Sequence, residues 1–229
     1  MKNHYCQIFL LLMLVVSLIS CKKDPFEKDS GTFTDERDNH EYKWVRIGNQ
    51  IWMAENLAYA PTVCGPTGNC GIYVYDYQGT GNYGENYGLY GCLYDWETAQ
   101  KVCPDGWHLP SDEEWMELEQ FLGMPEKELD KGGIRGEDAN VGGKLKEDGN
   151  THWNSPNTGS TNEVDFCARA GGLFDERFSS FKEISSFWTS SKVPGEESAI
   201  GRALYGNYKG IMRNVGSLNN CYSVRCLKN

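Results

Sequence analysis

The sequence predicts an α+β domain in which short, irregular strands and long ordered loops surround a few short helices. Aromatic residues are plentiful, with seven Trp, thirteen Tyr and nine Phe, and Gly is frequent at twenty-six. Long Leu/Ala-rich stretches of helical period are missing. Two local signals, a hairpin centred on Gly48-Asn49 and a capped helix opening at Ser111, place strand and helix in one chain.

The chain opens with Lys2 and an apolar run from Ile8 to Ile19, broken by Ser17 and followed by Ser20-Cys21. The run has the length of a signal-peptide core and falls short of the ~20 residues a membrane span needs. A small residue directly before Cys is where lipoprotein signal peptidase cuts, leaving a diacylated Cys21 at the new terminus. Acyl chains burying about 0.8 kcal/mol per CH₂ then anchor the protein without a transmembrane helix. Residues 1–20 are therefore read as a lipoprotein signal peptide, 21–38 as a lipidated flexible tether of polar, aperiodic composition, and 39–229 as one domain. The expected location is the cell envelope, lipid-anchored at the outer membrane, facing either the periplasm or the surface, with the bilayer as a partner through Cys21.

Within the domain, Tyr42–Ile47 alternates, Gly48-Asn49 is turn chemistry, and Ile51-Trp52-Met53 returns, which together make a hairpin. Ile72–Tyr77 reads as a strand, Gly79–Gly91 as a long ordered loop, and Asp95–Val102 as a short helix stopped by Cys103-Pro104. Ser111 with Glu114 forms a capping box. Trp115, Leu118 and Leu122 share one helical face, Asp112 and Glu113 suit the positive helix start, and Gly123 ends it. Residues 125–162 are polar and Gly-rich, with helical turns near Lys127 and Lys144. Further strands fall at 167–171, 187–190, 199–205 and 222–227.

The formal charge is −10, and loss of residues 1–20 would remove only Lys2 from it, making the remainder more acidic. With no Lys/Arg cluster to offset this charge, nucleic acid is not an expected partner. Apart from Cys6 and Cys21, seven cysteines remain, which in an exported protein read first as disulfide material with one left over. Cys64 and Cys70 bracket the turn-rich Gly-Pro-Thr-Gly-Asn and are expected to pair. A zinc site is disfavoured, since no Cys-x-x-Cys occurs and the four His show no ligand spacing.

Several motifs together resemble the Fibrobacter succinogenes major paralogous domain of exported bacterial proteins. They are Ile47–Leu57 (IGNQIWMAENL), Tyr87–Tyr90, Leu93–Trp96, Cys103–Ser111 (CPDGWHLPS), Gly143–Lys146, Phe187–Ser191 and the ending Ser223–Lys228 (SVRCLK). The match runs in order from about Asn39 to Lys228. The resemblance implies a C-type-lectin-like or formylglycine-generating-enzyme-like fold, a mixed sheet with two main helices and long loops. By the same analogy Cys103 pairs with Cys226. Cys92 and Cys221 depart from the family pattern and are expected to bridge each other, leaving Cys167 odd and buried. The family carries no settled biochemical role.

Gly79-Thr80-Gly81-Asn82-Tyr83-Gly84 spells a dinucleotide fingerprint, but Asn86-Tyr87-Gly88 argues against the helix that must follow. The Cys221/Cys226 spacing resembles the copper(I) pair of formylglycine-generating enzymes, although an offset of five on a strand puts the side chains on opposite faces. His108 and its neighbouring acids read as structural. Asp138, Asn140, Asp148, Asn150, Asn154, Asn157 and Asn162 could ligate calcium, yet no EF-hand spacing organises them and they read as solvated loop polarity. No metal, cofactor or catalytic residue is therefore expected. Trp52, Trp96, Trp107, Trp115 and Trp188 read as core. Tyr73, Tyr75, Tyr77, Tyr83, Tyr87 and Tyr90, with Trp153, are the candidate ligand-binding rings, able to stack on sugars. The expected function is a non-enzymatic binding or adhesion module for an envelope glycan or protein. An oxidase on the formylglycine-generating scaffold and a structural envelope component are the alternatives.

Overall fold

The structure is a computed structural model that describes residues 29–229. The signal peptide, Cys21 and the first part of the expected tether lie outside the described residues. β1 (Ser30–Asp35) and β2 (His40–Ile47) form an antiparallel hairpin, with Gly31 opposite Trp44 and Phe33 opposite Tyr42. Its turn places Asn39 at φ 60° and is braced by Asp35, which accepts from the Arg37 side chain at 2.6 Å. Residues 30–38 are thus an edge strand and its turn, which corrects the expectation of a tether there. Thr32-Phe33-Thr34 supplies strand-forming side chains, and Phe33 stacks on Trp107 with ring centroids 4.5 Å apart. β2 turns at Gly48 (φ 60°) into β3 (Gln50–Met53), as the alternation predicts.

β4 (Ile72–Tyr73) is shorter than the strand expected at 72–77. α1 (Gly84–Tyr90) is a helix where a loop was expected. Tyr83 and Tyr87 pack on the core from successive turns and Tyr90 is buried at the helix end. That burial outweighs the roughly 1 kcal/mol disadvantage of Gly88 inside a helix. β5 (Leu93–Tyr94) pairs with β4 and leads into α2 (Trp96–Ala99), whose cap Asp95 accepts the Thr98 N–H at 2.8 Å. β6 (Trp107–His108) precedes α3 (Asp112–Phe121), which has the capping box formed by Ser111 and Glu114. β7 (Gly133–Arg135), α4 (Val141–Leu145), β8 (Leu173–Phe174) and β9 (Phe178–Ser179) follow. The chain closes with β10 (Ile184–Lys192), β11 (Ser198–Tyr205), β12 (Ile211–Ser217) and β13 (Leu227–Lys228). The strand expected at 167–171 is a single bridge at Ala168, and β7 and β12 were not anticipated.

One sheet has the order β1-β2-β3-β13-β6 and another β10-β11-β12-β7. Successive side chains point to opposite faces of a strand, and here both faces are buried. Tyr42, Met53 and Cys226 belong to one apolar core with Tyr94, Trp188 and Val224, whereas Val45, Ile47, Trp52 and Leu227 belong to a second with Trp115, Trp153, Phe166 and Phe187. β10 bridges the two, giving Phe187 to one and Trp188 to the other. The five Trp expected in the core are all buried. Trp153, expected as a ligand ring, is buried with them at 1 % exposure, its indole N–H donating to the Ala168 carbonyl at 2.9 Å.

Cys64 is bonded to Cys70 and Cys103 to Cys226, while Cys92, Cys167 and Cys221 are free. The expected Cys92–Cys221 bridge is corrected by strand parity. Tyr94 and Tyr222 face each other across an antiparallel bridge, so Cys92 shares their face and Cys221 lies on the other, with Leu93 and Tyr73. Cys167 is half-buried rather than buried.

Beneath α3 lies a buried ionic network. Glu119, 0 % exposed, accepts from Arg135 at 2.9 Å and from Arg202 at 2.6 Å. Asp112 pairs with Arg202 at 2.7 Å and Arg213 at 2.6 Å. Burial would raise the Asp112 pKa, but Arg213 and Arg202 hold it below the usual carboxylate value. Asp112 thus ties α3 to β11 and β12, beyond the helix-dipole role its position suggests.

Candidate functional site

A cleft of about 520 Å³ opens at the β1–β2 edge, on the sheet face that carries the second core. Register puts Ser30 and Thr32 of β1 with Lys43 and Val45 of β2 on that face. Glu55 and Asn56, just beyond β3, form one wall, and Asn162, Asp165, Cys167 and Arg169 form another. Glu55 is fixed by accepting the Lys43 backbone N–H at 2.8 Å.

The loop wall is tightly wound. Asn162, Asp165 and Cys167 sit at φ 46°, 54° and 53°, in the left-handed region. Asn and Asp enter it readily, but a Cys there must be held by its surroundings. The Asn162 side chain accepts the Cys167 N–H at 2.8 Å, and the Cys167 carbonyl accepts from Arg225 at 2.9 Å. Arg169 is oriented by Glu147, at 2.8 Å from its Nε, and donates through Nη1 to the Leu89 carbonyl at 3.1 Å. Glu147 also holds His152 and lies 3.7 Å from the Cys167 sulfur.

Arg225 lies under the cleft and is 1 % exposed. Its Nε donates to the Asn56 side chain at 2.7 Å and its Nη1 to the Met53 carbonyl at 3.1 Å and to the Phe166 carbonyl. The Phe166 ring centroid is 4.5 Å from its guanidinium carbon. Among the described residues, no carboxylate lies within ion-pair distance of it. Burial pushes its pKa down to about 10, so it stays charged at neutral pH.

The cleft thus offers fixed donors and acceptors of both charge signs beside the apolar Trp44, Val45, Ala54 and Leu89, an arrangement suited to binding. Burial pushes the Cys167 thiol pKa up, which keeps it a weak nucleophile. Among the described residues, no group of three or more His, Cys, Asp or Glu stands where it could hold a metal ion.

The tyrosines expected as a stacking platform do not form one. Tyr73 and Tyr90 are buried at 4 % exposure, and Tyr73 stacks on Phe174 with centroids 4.1 Å apart. Tyr75 is half-buried with its ring stacked on Phe181 at 4.3 Å. Tyr77, Tyr83 and Tyr87 meet one another at centroid distances of 5.1 and 5.4 Å and pack on the first core. Their faces serve each other, because burying an aromatic ring yields more than leaving it wet. His108 bridges Glu114 at 2.9 Å and Asn229 at 2.7 Å, a structural role at the start of α3. Cys226 is spent in its disulfide, and Cys221 is 2 % exposed.

Sequence reasoning missed Lys43, Glu55, Asp165, Arg169 and Arg225 as one site. The available signal was an Arg between Val224 and Cys226 in the stretch 222–227, where a strand was expected and the structure has single bridges at Tyr222 and Ser223 and a strand only from Leu227. The profile of the Fibrobacter succinogenes major domain matches residues 45–228 of the chain. Compared with curated proteins and with solved structures, the chain gives no significant match.

Proposed function

The chain belongs to the Fibrobacter succinogenes major domain family, and from that premise and the cleft we propose a non-enzymatic, envelope-anchored binding module that takes a glycan. The observation that carries this is the cleft's lining of preset carboxylates, carboxamides and guanidinium groups around a concave space of about 520 Å³, within the range of small-ligand sites. Such a lining matches a hydroxyl-rich ligand. A protein partner would call for a broader surface with aromatic anchors, whereas the exposed large apolar residues among those described are Leu89, Phe121, Tyr208 and Val215, spread along the chain.

The fold is taken as C-type-lectin-like. What supports this is the pairing of the last strand with an early one, Leu227 opposite Trp52, and the disulfide from that end to the segment before α3. The non-enzymatic reading is supported by Cys226 being bonded and by the raised thiol pKa values of Cys167 and Cys221. Acylation of Cys21 would place the cleft close to the bilayer, at the outer membrane. Nine residue steps separate Cys21 from Ser30, a reach of roughly 30 Å at full extension.

A glycan array probed with the full chain and its Glu55→Gln and Asn162→Ala variants tests the reading. Signal on the parent that falls at least tenfold in both variants is expected. A silent array, or signal indifferent to both substitutions, would overturn it. Intact-mass analysis of the chain recovered from membranes checks the acylation of Cys21.

A further inference from the structure

We propose that the glycan is acidic: the cleft is built for a sugar carrying one carboxylate, such as a uronic acid. This rests on the glycan reading above and sharpens it. The chain as a whole is strongly acidic at −10, yet the lining of its cleft contains Lys43, Arg169 and Arg225 against Glu55 and Asp165. Glu147 pairs with Arg169 at 2.8 Å, so the feature that calls for an anion is the charge of Arg225, which no carboxylate pairs with among the described residues and which a single carboxylate would balance.

Arg225 is surrounded by neutral partners, the Asn56 carboxamide and the Met53, Phe166 and Cys167 carbonyls, so no ion pair cancels its charge internally. Apolar rings enclose it on the core side, at 4.5 Å for Phe166 and 5.7 Å for Phe187. A charge walled in by low-dielectric material projects its field toward the open side, which here is the cleft. Arg169 uses Nε and Nη1 on Glu147 and Leu89, while its Nη2 has no partner among the described residues. Lys43 is exposed on β2, and its ammonium has no ion-pair partner among the described residues. An entering carboxylate therefore meets Arg169 and Lys43 as donors, with Arg225 behind them as a fixed charge. Of the two carboxylates already present, Glu55 is turned to the Lys43 backbone.

The test uses the full chain in detergent micelles with three probes: galacturonate, its methyl ester and galactose 1-phosphate, followed by calorimetry. The ester keeps the ring and removes the charge. Galacturonate should bind at least tenfold more tightly than the ester, and Arg169→Gln and Lys43→Gln should each cut that ratio to about threefold or less while leaving the circular dichroism unchanged. Ester binding as tight as the acid, or tighter binding of the phosphate, would overturn the proposal and leave the glycan reading standing. A ratio that survives both substitutions would overturn it as well. If neither uronate nor ester binds and the array is also silent, both readings fall together.

Discussion

Replacing the two bonded cysteine pairs by alanine, one pair at a time, should have unequal consequences. Cys103–Cys226 joins residues 123 apart and Cys64–Cys70 residues 6 apart. A crosslink stabilises chiefly by denying the unfolded chain the conformations in which those residues are far apart, an entropy of about 2.1 plus 1.5R ln n cal/mol/K. At 25 °C this gives about 5 kcal/mol for the long loop and about 2 kcal/mol for the short one. For a domain of this size each kcal/mol shifts Tm by roughly 2–4 °C. Cys103→Ala/Cys226→Ala should therefore melt about 10–20 °C below the parent and Cys64→Ala/Cys70→Ala about 4–8 °C below it. Urea denaturation of parent and both variants measures the free energies directly. The surroundings reinforce the order. Cys226 is 0 % exposed and adjoins Leu227, whose pairing with Trp52 and His108 seats the final strand between two others. Equal costs, or a larger cost for the short loop, would refute the topological account.

Four other outcomes follow from the polar groups and thiols. Glu119→Ala leaves Arg135 buried without a counter-ion, takes from Arg202 one of its two carboxylates, and should cost about 3–5 kcal/mol in urea denaturation. Lys192→Ala, which breaks an exposed pair at 3.4 Å with Glu197, should move stability by less than about 0.5 kcal/mol. Lys146, 0 % exposed, donates to three backbone carbonyls, of Thr158, Tyr205 and Tyr208, and burial pushes its pKa down to about 8. Between pH 8 and the ordinary value of 10.5 the unfolded chain holds a proton that the folded chain has released, so this group's contribution to stability rises with pH across that window. Parent stability minus that of Lys146→Met should climb by an amount on the order of 3 kcal/mol from pH 8 to 10.5, and a flat difference would contradict it. Under native conditions a maleimide should label Cys167 before Cys92 and Cys221, which are 0 % and 2 % exposed; peptide mapping of a time course checks the order.

What was legible in the sequence was local. The Ser111/Glu114 capping box and the turn at Gly48 are each decided within a few residues, and both stand where the residues put them. What was not legible depended on distant partners. Thr32-Phe33-Thr34 is too short an alternation to declare a strand beside charged neighbours, and it becomes one through Tyr42 and Trp107. Gly84–Tyr90 lacks helical propensity and is recruited by tyrosines that find buried surroundings. Tyr73 to Tyr90 looked like a ladder for a ligand because a sequence shows ring chemistry and hides what covers each face. Asp112 looked like a dipole partner because Arg202 and Arg213 stand 90 and 101 residues away.

The same non-locality explains why the cleft forms where it does. Residues from the first hairpin, the Glu55-Asn56 step, the 162–169 loop and the segment before β13 converge there, and Arg225 ties the end of β3 and the Asn56 step to the loop. Its guanidinium binds Asn56 and Met53 on one side and Phe166 and Cys167 on the other. A hydrocarbon side chain could fill that volume, but it would orphan those acceptors, at about 1–3 kcal/mol each for buried groups. Arg225 therefore serves two ends at once. It satisfies the backbone of a loop forced into left-handed turns, and it leaves an unpaired charge beneath the wall those turns create. The strain at Cys167 and the charge at Arg225 are consequences of one hydrogen-bond arrangement, which gives the edge of this sheet a recess with a preferred sign.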